Sequence, residues 1–368
     1  MTQVKNDRLQ KNQHMMKFFG NIIVFLLFLA NLMVCIGFLV CAYSPYISPY
    51  RHPVWSCAGL AFPIFMAGVL GFVFVWLFVR RWFMCLSLFT LLLGWGSLKV
   101  YFPLGTWEEP SGESIKLLTY NVEGFPKEEG DEEHSILKYL KESGADIICL
   151  QEFRTDGRLS LKKINKVLAD YPYYKHTPLG GGSQLACYSR YPILSSRKIN
   201  YKSQANGSVL YRLKMGKDTL ILINNHLESN KLTGHDKEVY HDLLKSPGGE
   251  AQEGGKYLLH KLAAASPIRA AQADTLVKVL ERNQARYMLL CGDFNDSPVS
   301  YAHRVVNNVL TDAYVEAGKG VGFSYNQNHF YFRIDHIFAS PSFRVLQCKV
   351  DRSIRTSDHY PVWCVLEK

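Results

Sequence analysis

Acidic residues are almost absent from the first 106 residues of this 368-residue chain, where Asp7 is the only one. This part has eight of the 42 Lys and Arg and one of the 32 acids, which leaves 34 bases and 31 acids after it. Most of the net charge of +10 therefore lies in the N-terminal part. A basic chain often binds nucleic acid, but here the excess flanks hydrophobic segments, so it is weak evidence for DNA binding.

Other signals are also missing. The nine cysteines have neither a metal-type spacing nor a dense pattern, which argues against disulfides and against a cysteine metal site. No repeat recurs at a fixed period, and no basic stripe is interleaved with aromatic residues. The bases at Lys162, Lys163 and Lys166 fit the solvated face of a helix better than a nucleic-acid site.

Three long hydrophobic stretches fill most of the N-terminal part, at about residues 18–42, 55–79 and 82–100. Each approaches or exceeds the ~20 residues that cross a bilayer as a helix. A proline-rich segment separates the first two, and Arg80-Arg81 separates the last two. Buried helices of a soluble protein and a cleaved signal peptide are the alternatives, and three successive stretches fit both poorly. We predict that residues 1–106 anchor the chain in a lipid bilayer through three transmembrane helices.

The loop charges predict the orientation of this anchor. Four basic residues precede the first stretch and Arg80-Arg81 follow the second, whereas the loop between them contains only Arg51. The positive-inside rule then places the N-terminus in the cytoplasm. After three crossings, the rest of this integral membrane protein is predicted to be extracytoplasmic.

A polar linker at residues 107–112 leads into a domain over residues 113–368, where strand-like runs alternate with helical patterns. This alternation predicts a layered α/β fold. We predict strands at 115–121, 147–151, 184–189, 209–214, 219–226, 287–291, 333–339 and 362–366. Helices are predicted at 135–142, 161–169, 267–282 and 300–309, the third beginning at Pro267. Residues 229–265 are polar and are interpreted as a partly helical surface insertion that shapes substrate access.

Acids, amides and histidines follow five of these strands or precede the last one. They are Asn121 with Glu123, Glu152, His226, Asp293 with Asn295, and Asp358 with His359. Ligands and catalytic groups gather at strand ends in α/β sheets. The five coincidences together indicate one site.

Asp293 and Asn295 are two residues apart after an apolar strand, so their side chains point the same way on an extended backbone. A carboxylate that accepts a proton from water would then lie beside an amide that orients a phosphoryl oxygen. The alternative is a turn that caps the next helix. Glu152 follows another apolar strand, where a buried lone carboxylate costs several kcal/mol and calls for a cation. Its alternative is a surface pair with Arg154.

His359 follows Asp358 in a sharp turn that leads into the last strand. It could donate a hydrogen bond to a phosphate oxygen if a carboxylate holds its ring, and Asp335 on a neighbouring strand is the candidate for that. The alternative is a turn histidine without a function.

The ordered set of motifs resembles the endonuclease/exonuclease/phosphatase superfamily, which includes deoxyribonucleases, AP endonucleases, neutral sphingomyelinases and inositol-polyphosphate 5-phosphatases. The motifs are TYNVE at 119–123, LQE at 150–152, NHL at 225–227, GDFN at 292–295, IDHI at 334–337 and SDHYPV at 357–362. The resemblance implies a four-layer α/β/β/α sandwich that hydrolyses phosphate esters with Mg²⁺ or Mn²⁺.

The resemblance also implies roles for individual residues. Glu152 would be the principal metal ligand, helped by Asn121, Glu123 and Asp358. Glu123 stands where several members have Asp, so its reach to the metal could differ.

The remaining residues of the set would act on the substrate. Asp293 would activate the attacking water and Asn295 would steady the phosphoryl group. His359, held by Asp335, would contact the scissile phosphate, and His226 would add a second imidazole.

Two functions are compatible with this reading. The first is a membrane-tethered phosphodiesterase or phosphomonoesterase, and the second is a non-catalytic binding or scaffold module on the same fold. The set of strand-end acids favours the enzyme, because a scaffold does not need them. Extracellular nucleic acid, a phospholipid headgroup and a small phosphate ester remain candidate substrates, and no obligate protein partner is indicated.

Overall fold

The computed structural model describes the chain except residues 1, 129–132, 156–158, 202, 204, 232, 235, 237, 240–248 and 328–329. It consists of two compact units. The first comprises Met1–Ser44 and Ala58–Leu98, and the second comprises Pro45–Cys57 and Lys99–Lys368.

The first unit is helical, with α1 (Thr2–Tyr43), α3 (Phe62–Val79), α4 (Met84–Leu93) and the start of α5 (Trp95–Tyr101). Two spans are long and apolar enough to cross a membrane, Asn12–Tyr46 and Pro53–Val79. Residues Arg81–Leu93 and Trp95–Tyr101 meet at a bend of 68°, which corresponds to a broken span or a re-entrant loop. The structure therefore has two clear apolar spans, and the third predicted stretch is broken next to Gly94.

Polar and small residues join the helices of this unit. The Ser87 hydroxyl donates to Asn31 Oδ1 at 3.0 Å, and both side chains are buried. Gly37 faces the Phe65 ring so closely that a Cβ atom would lie 2.1 Å from it. Hydrogen bonds between polar side chains and close approach at glycine are typical of helices that pack in lipid.

The second unit contains two six-stranded sheets and a two-stranded sheet. The first sheet has the order β13-β14-β1-β2-β4-β3 and the second has the order β5-β6-β7-β8-β12-β9. The strands are β1 Ser114–Asn121, β2 Ile147–Phe153, β3 Tyr173–Gly180, β4 Ser183–Ser189, β5 Ile193–Ile199, β6 Gly207–Met215, β7 Asp218–His226, β8 Tyr287–Asp293, β9 Thr311–Asp312, β10 Tyr325–Gln327, β11 Phe330–Phe332, β12 Asp335–Ala339, β13 Arg344–Val350 and β14 Val362–Glu367.

Several helices of this unit start at side chains that accept backbone hydrogen bonds. Ser160 accepts from Lys163 N, Ser300 from His303 N and Asp312 from Tyr314 N, each satisfying an otherwise unpaired N–H. The helices are α2 Pro53–Ser56, α6 Ser135–Glu142, α7 Leu161–Val167, α8 Gly249–Asn283, α9 Tyr301–Asn307 and α10 Ala313–Ala317.

Three hydrophobic cores of the described residues lie between the layers and pack them together. The central core joins the two sheets, with Leu117 and Cys149 of the first sheet packed with Leu222 and Leu289 of the second. A second core lies between the first sheet and helices α6 and α7. The third lies between the second sheet and helices α8 and α9. Helices thus cover the outer faces of two packed sheets, as the layered α/β prediction requires.

All eight predicted strands are present, with ends that differ by one or two residues. The prediction that a helix begins at Pro267 is wrong, because α8 begins at Gly249 and Pro267 lies inside it. The insertion was predicted at residues 229–265 and was interpreted as partly helical. Its C-terminal part, residues 249–265, belongs to this helix. Residues 240–248 of the insertion lie outside the described residues.

Candidate active site

Strand pairing brings the predicted site residues to one edge of the two sheets. The parallel pair β1 and β2 ends with Asn121 opposite Gln151, and the parallel pair β7 and β8 ends with His226 opposite Asp293. In the antiparallel pair of β12 and β8, Asp335 lies opposite Asp293. The two packed sheets thus present their acid-bearing strand ends side by side.

The backbone is constrained where these strands end. Glu123, Glu152 and Asn295 have φ values of 48°, 50° and 51°, in the left-handed region. Such conformations in non-glycine residues cost about 1–3 kcal/mol each and cluster at functional sites. At Gly292, with φ 132°, a Cβ atom would lie 2.0 Å from Asn225 O, so only glycine allows β7 and β8 to approach here.

Asn121 links the two sheets at the floor of the site. Its Nδ2 donates to Glu152 Oε1 at 3.2 Å and to Asp293 Oδ2 at 3.1 Å. His226 Nε2 lies 3.5 Å from Asp293 Oδ2 and 3.8 Å from Glu152 Oε1. One amide and one imidazole therefore hold carboxylates of both sheets together.

His359 lies between carboxylates on three sides. Its Nδ1 hydrogen-bonds Asp335 Oδ2 at 2.8 Å, and its Nε2 lies 3.7 Å from Asp293 Oδ2 and 3.9 Å from Asp358 Oδ1. Burial disfavours the charged ring, but the charges of Asp335 and Asp293 outweigh burial and raise the pKa of His359 well above its ordinary value. The raised pKa favours the imidazolium form, which can donate a hydrogen bond.

The two buried acids beside this ring differ in pKa. Burial raises the pKa of Asp293. The His359 charge acts in the opposite direction but does not outweigh burial, and the Asp335 charge raises the pKa further. For Asp335, burial also acts upward, but the charge and hydrogen bond of His359 lower the pKa. Asp293 is thus the carboxylate better placed to take up a proton.

Three further acids line the open side of the site. The side chain of Asp293 is 1% exposed, whereas those of Glu152 and Asp358 are 31% and 18% exposed, and Glu123 is exposed. Asp358 N donates to Glu123 Oε2 at 3.0 Å. Partial desolvation of its carboxyl group, then the nearby Asp358 and Glu152 charges, raise the pKa of Glu123. Like charges therefore converge here.

The donor set fits a hard divalent cation. Neither Glu123 nor Glu152 forms an ion pair with a Lys or Arg in the described part of the chain, and the His359 charge offsets the repulsion at Glu123 only in part. Carboxylate and amide oxygens are the ligands that Mg²⁺ prefers. Asn121 turns its NH₂ group toward Glu152, so an oxygen ligand at this position requires the amide to rotate.

All nine predicted residues belong to this hydrogen-bonded or closely spaced network. Asn295 joins it through its backbone N–H, which donates to Asp293 Oδ1 at 2.7 Å, while its Nδ2 donates to Leu227 O at 3.0 Å. The roles of the nine residues stay predictions, but their proximity is a property of the fold.

Three supporting residues were not predicted. Ser357 Oγ donates to Asn121 O at 2.8 Å and accepts from His359 N, which fixes the turn before β14. Ser324 Oγ accepts from Asp335 N at 3.0 Å, and the Tyr325 ring lies 5.1 Å from the His359 ring. Ser357 could have been found from its place beside Asp358, whereas residues 324 and 325 show no comparable signal in the sequence.

Comparisons with known proteins agree with this geometry. The model of the Endonuclease/Exonuclease/phosphatase family matches residues 118–359, and a family described as a domain of unknown function matches residues 22–101. No curated protein matches the chain in sequence.

Two solved structures are similar in fold. Humanized D. rerio TDP2 with 14 mutations has a TM-score of 0.52 and 16% identity, and the alignment covers 69% of this chain and 99% of that one. The human Nocturnin catalytic domain with a bound sulfate anion has a TM-score of 0.50 and 15% identity, covering 69% and 94%. At these identities the likeness concerns the fold alone.

Proposed function

The chain belongs to the Endonuclease/Exonuclease/phosphatase family, and from this premise we propose that it is a membrane-anchored, divalent-metal-dependent hydrolase of phosphate esters. The observation that carries the proposal is the convergence of Glu152, Asp293 and His359 from separate strand ends into one network. Family membership supports the hydrolysis of phosphate esters. The partly unbalanced charges of Glu123 and Glu152 support a bound divalent metal ion.

Asp293 is the proposed base for the attacking water. It lies at the floor of the site with a raised pKa, and Asn121 Nδ2 and the Asn295 N–H hold its two oxygens. A carboxylate fixed in this way can accept a proton without first rotating. The proton-accepting group of a general base contributes roughly 10²–10⁴-fold to the rate.

His359 is the proposed contact to the scissile phosphate. Asp335 accepts the Nδ1 hydrogen and fixes the ring, so that Nε2 faces Asp293 and the site. A fixed imidazolium can donate to a phosphoryl oxygen whose charge grows in the transition state. His226, 3.5 Å from Asp293, is the proposed second imidazole, and the Asn295 amide is proposed to steady the phosphoryl group.

Glu152, Glu123 and Asp358, with Asn121 beside them, are the proposed holders of Mg²⁺ or Mn²⁺. A bound divalent ion would neutralise charge on the phosphoryl oxygens and help orient the ester. Glu152 is central among these residues. Its partly exposed carboxylate accepts a hydrogen bond from Asn121 Nδ2 and lies 3.8 Å from His226 Nε2.

The proposed anchor consists of three crossings within residues 1–106, with the domain at 113–368 outside the cytoplasm. The loop between the first two hydrophobic stretches supports this topology because it packs within the second unit. Tyr50 Oη donates to Asp274 Oδ2 at 2.6 Å, and Arg304 Nε donates to Pro45 O at 2.8 Å.

These contacts limit the number of crossings. A loop and a domain that touch would lie on the same side of the bilayer, which supports an even number of crossings in the chain between them. Pro53–Val79 is long enough to cross once, and the bent pair Arg81–Leu93 and Trp95–Tyr101 would supply the second crossing. A reporter that is active only outside the cytoplasm, fused after Lys368, should be active, and activity of a cytoplasm-only reporter would contradict the topology.

The substrate is best approached with the full-length chain in neutral detergent. Plasmid DNA, RNA, phospholipid vesicles, a sugar phosphate and bis(p-nitrophenyl) phosphate would each be tested with Mg²⁺, with Mn²⁺ and with EDTA. We expect hydrolysis of at least one phosphate ester that stops with EDTA and returns with added Mg²⁺ or Mn²⁺. Hydrolysis that persists unchanged after chelation would contradict metal dependence, and no hydrolysis in the entire panel would favour the scaffold alternative.

A further inference from the structure

A second concave site lies at the edge of the first sheet, and its lining differs from that of the candidate active site. It is a pocket of about 410 Å³ formed by α10, the loop that follows it, and the edge strand β13. Its wall includes the cations Lys319, Lys349 and Arg352 and the aromatic residues Trp107 and Phe323. The volume falls within the range of small-molecule sites, and none of the nine predicted catalytic or metal-binding residues lines it.

The positive charges of this pocket are only partly neutralised. Lys349 Nζ lies 3.4 Å from Asp351 Oδ1. Lys319 and Arg352 form no ion pair within the described ranges and lie instead near aromatic rings, at 5.5 Å from Trp107 and 6.0 Å from Phe323. Two cations therefore have no carboxylate of their own, which suits the pocket to an anion.

A buried cation adds to this charge from behind. Arg333 is 2% exposed, and its guanidinium lies 4.5 Å from the ring of Tyr314, which lines the pocket. It donates to the carbonyls of Val100 and Val321, and its Nε has no hydrogen-bond partner among the described residues. The charge of the buried Asp312 acts on it without an ion pair between the two in the described part of the chain. Burial of an incompletely balanced charge is unfavourable, so an anion nearby would stabilise this arrangement.

Covalent geometry places the pocket close to the end of the third hydrophobic stretch. Helix α5 ends at Tyr101, and Trp107 follows six residues later, which spans at most about 20 Å. Backbone hydrogen bonds hold this linker to the pocket loop, from Gly320 N to Pro103 O at 2.9 Å and from Gly105 N to Gly318 O at 2.8 Å.

Apolar side chains of the linker are exposed beside the pocket. Leu104, which pairs with Lys319 in an isolated β-bridge, is 80% exposed, and Phe102 is 45% exposed. Trp107 is also exposed, while its Nε1 donates to Ala317 O. Tryptophan, lysine and exposed apolar residues in this combination are typical of the membrane–water interface.

We propose that this pocket binds the phosphate-bearing headgroup of an anionic phospholipid in the leaflet next to the domain. Lys319, Lys349 and Arg352 would donate to the phosphate oxygens, and Leu104 with Phe102 would contact the apolar part of the lipid. The proposal rests on the proposed membrane anchor and is independent of the proposed catalysis. Such a contact would fix the orientation of the domain on the bilayer.

Calorimetric titration of the full-length chain in neutral detergent tests the proposal. The probes are dihexanoyl phosphatidic acid, dihexanoyl phosphatidylcholine and inorganic phosphate. We expect the anionic lipid to bind at least about tenfold more tightly than the other two. The variant Lys319→Gln/Lys349→Gln/Arg352→Gln should weaken this binding on the order of a hundredfold, since each of the three cations near a membrane surface contributes about a factor of five.

A matched control removes the same charge elsewhere. Lys141, Lys162 and Lys163 are exposed on α6 and α7, so Lys141→Gln/Lys162→Gln/Lys163→Gln should bind the lipid like the wild type. Because Lys319 and Arg352 are exposed, Lys319→Gln and Arg352→Gln should fold even if the triple variant does not, and each should weaken binding about fivefold.

Three results would overturn the proposal. They are equal binding by the single pocket variants and the wild type, equal weakening by the control variant, and binding of inorganic phosphate as tight as that of the lipid. The last result would assign the pocket to free phosphate. Hydrolysis of bis(p-nitrophenyl) phosphate should be unchanged in the pocket variants, and Asp293→Asn should still bind the lipid, so failure of catalysis and failure of lipid binding are separate outcomes.

Discussion

Two buried clusters of aspartate and histidine lie in the second unit, and similar residue types serve different purposes in them. The first is Asp293, Asp335 and His359, and the second is His303, Asp312 and His336. In both, the potential ligand atoms lie within 4.8 Å of one another. Each has one short contact, His359 to Asp335 at 2.8 Å and His303 to Asp312 at 2.7 Å.

The clusters differ in their surroundings. The first adjoins the partly exposed acids Glu152 and Asp358. The second is enclosed by aromatic side chains, with the Phe294 ring 5.1 Å from His336 and the Phe338 ring 5.1 Å from His303. An enclosed cluster cannot meet a substrate, so its hydrogen bonds contribute to stability.

Charge separates the clusters further. Two carboxylates outweigh burial and raise the pKa of His359, whereas burial, with His336 and Arg333 nearby, lowers the pKa of His303 to about 4 against the single carboxylate Asp312. The shifts favour the charged form of His359 and the neutral form of His303. Accessibility and the number of facing carboxylates, rather than composition, distinguish a candidate catalytic cluster from a structural one.

The largest expected effect is on catalysis at Asp293. Asp293→Asn should lower kcat for a hydrolysable phosphodiester by roughly 10²–10⁴-fold, because the amide cannot accept the proton of the attacking water. Steady-state kinetics and thermal melting of the same preparation would measure this. The exposed Asp170→Asn is the control with the same change in charge, and a folded Asp293→Asn variant with wild-type kcat would contradict the role.

Substitution in the second cluster should reduce stability and leave catalysis unchanged. Asp312→Ala should lower the free energy of unfolding by about 2–6 kcal/mol, because the two buried donors His303 Nε2 and Tyr314 N each lose their acceptor, at roughly 1–3 kcal/mol per donor. Chemical denaturation would measure the loss, and kcat per folded molecule should be unchanged. Loss of activity in fully folded Asp312→Ala would contradict a purely structural role of the second cluster.

Exchange of each imidazole for an amide sharpens the contrast. His359→Gln should lower kcat by roughly 10²–10³-fold, as expected for removal of a fixed donor to the transition state. His303→Gln should leave kcat unchanged, because Gln can still donate to Asp312. Equal kinetic effects of the two substitutions would contradict separate roles.

The smallest effect expected is a pH dependence of stability. His303 has a folded pKa of about 4, below its ordinary value of 6.5, so the unfolded chain takes up the proton first as the pH falls. Stability should therefore decrease below pH 6.5, by about 2 kcal/mol at pH 5. Chemical denaturation of His303→Gln above pH 6.5 and at pH 5 should lack this part of the decrease in stability. An identical decrease in the variant and the wild type would refute the contribution of His303.

The catalytic cluster was predictable because its acids interrupt apolar strands. Asp293 follows four apolar residues and a glycine, and Glu152 stands at the end of a similar run, so burial alone signals a special role. The left-handed backbone at Glu123, Glu152 and Asn295 was not predictable, since nothing in their neighbours requires it. The second cluster was missed because no long apolar strand marks it: Asp312 ends the two-residue strand β9, and His303 lies within helix α9.

Local patterns also explain the errors in the fold. Strands β3, β5 and β13 lie at sheet edges and mix polar with apolar residues, so they lack the apolar runs that marked the eight predicted strands. Helix α8 was predicted to start at Pro267 because proline favours a first turn. In the structure the polar segment before it continues the same helix, with Ala263 and Ala265 buried.

Binding of Mn²⁺ to the full-length chain, measured by calorimetry, tests the central claim that the strand-end acids form a metal site. We predict one ion per chain, bound at least about tenfold more weakly by Glu152→Gln and equally tightly by Asp312→Asn. Wild-type affinity in Glu152→Gln, or loss of the ion in Asp312→Asn, would contradict the assignment of the metal to the open cluster.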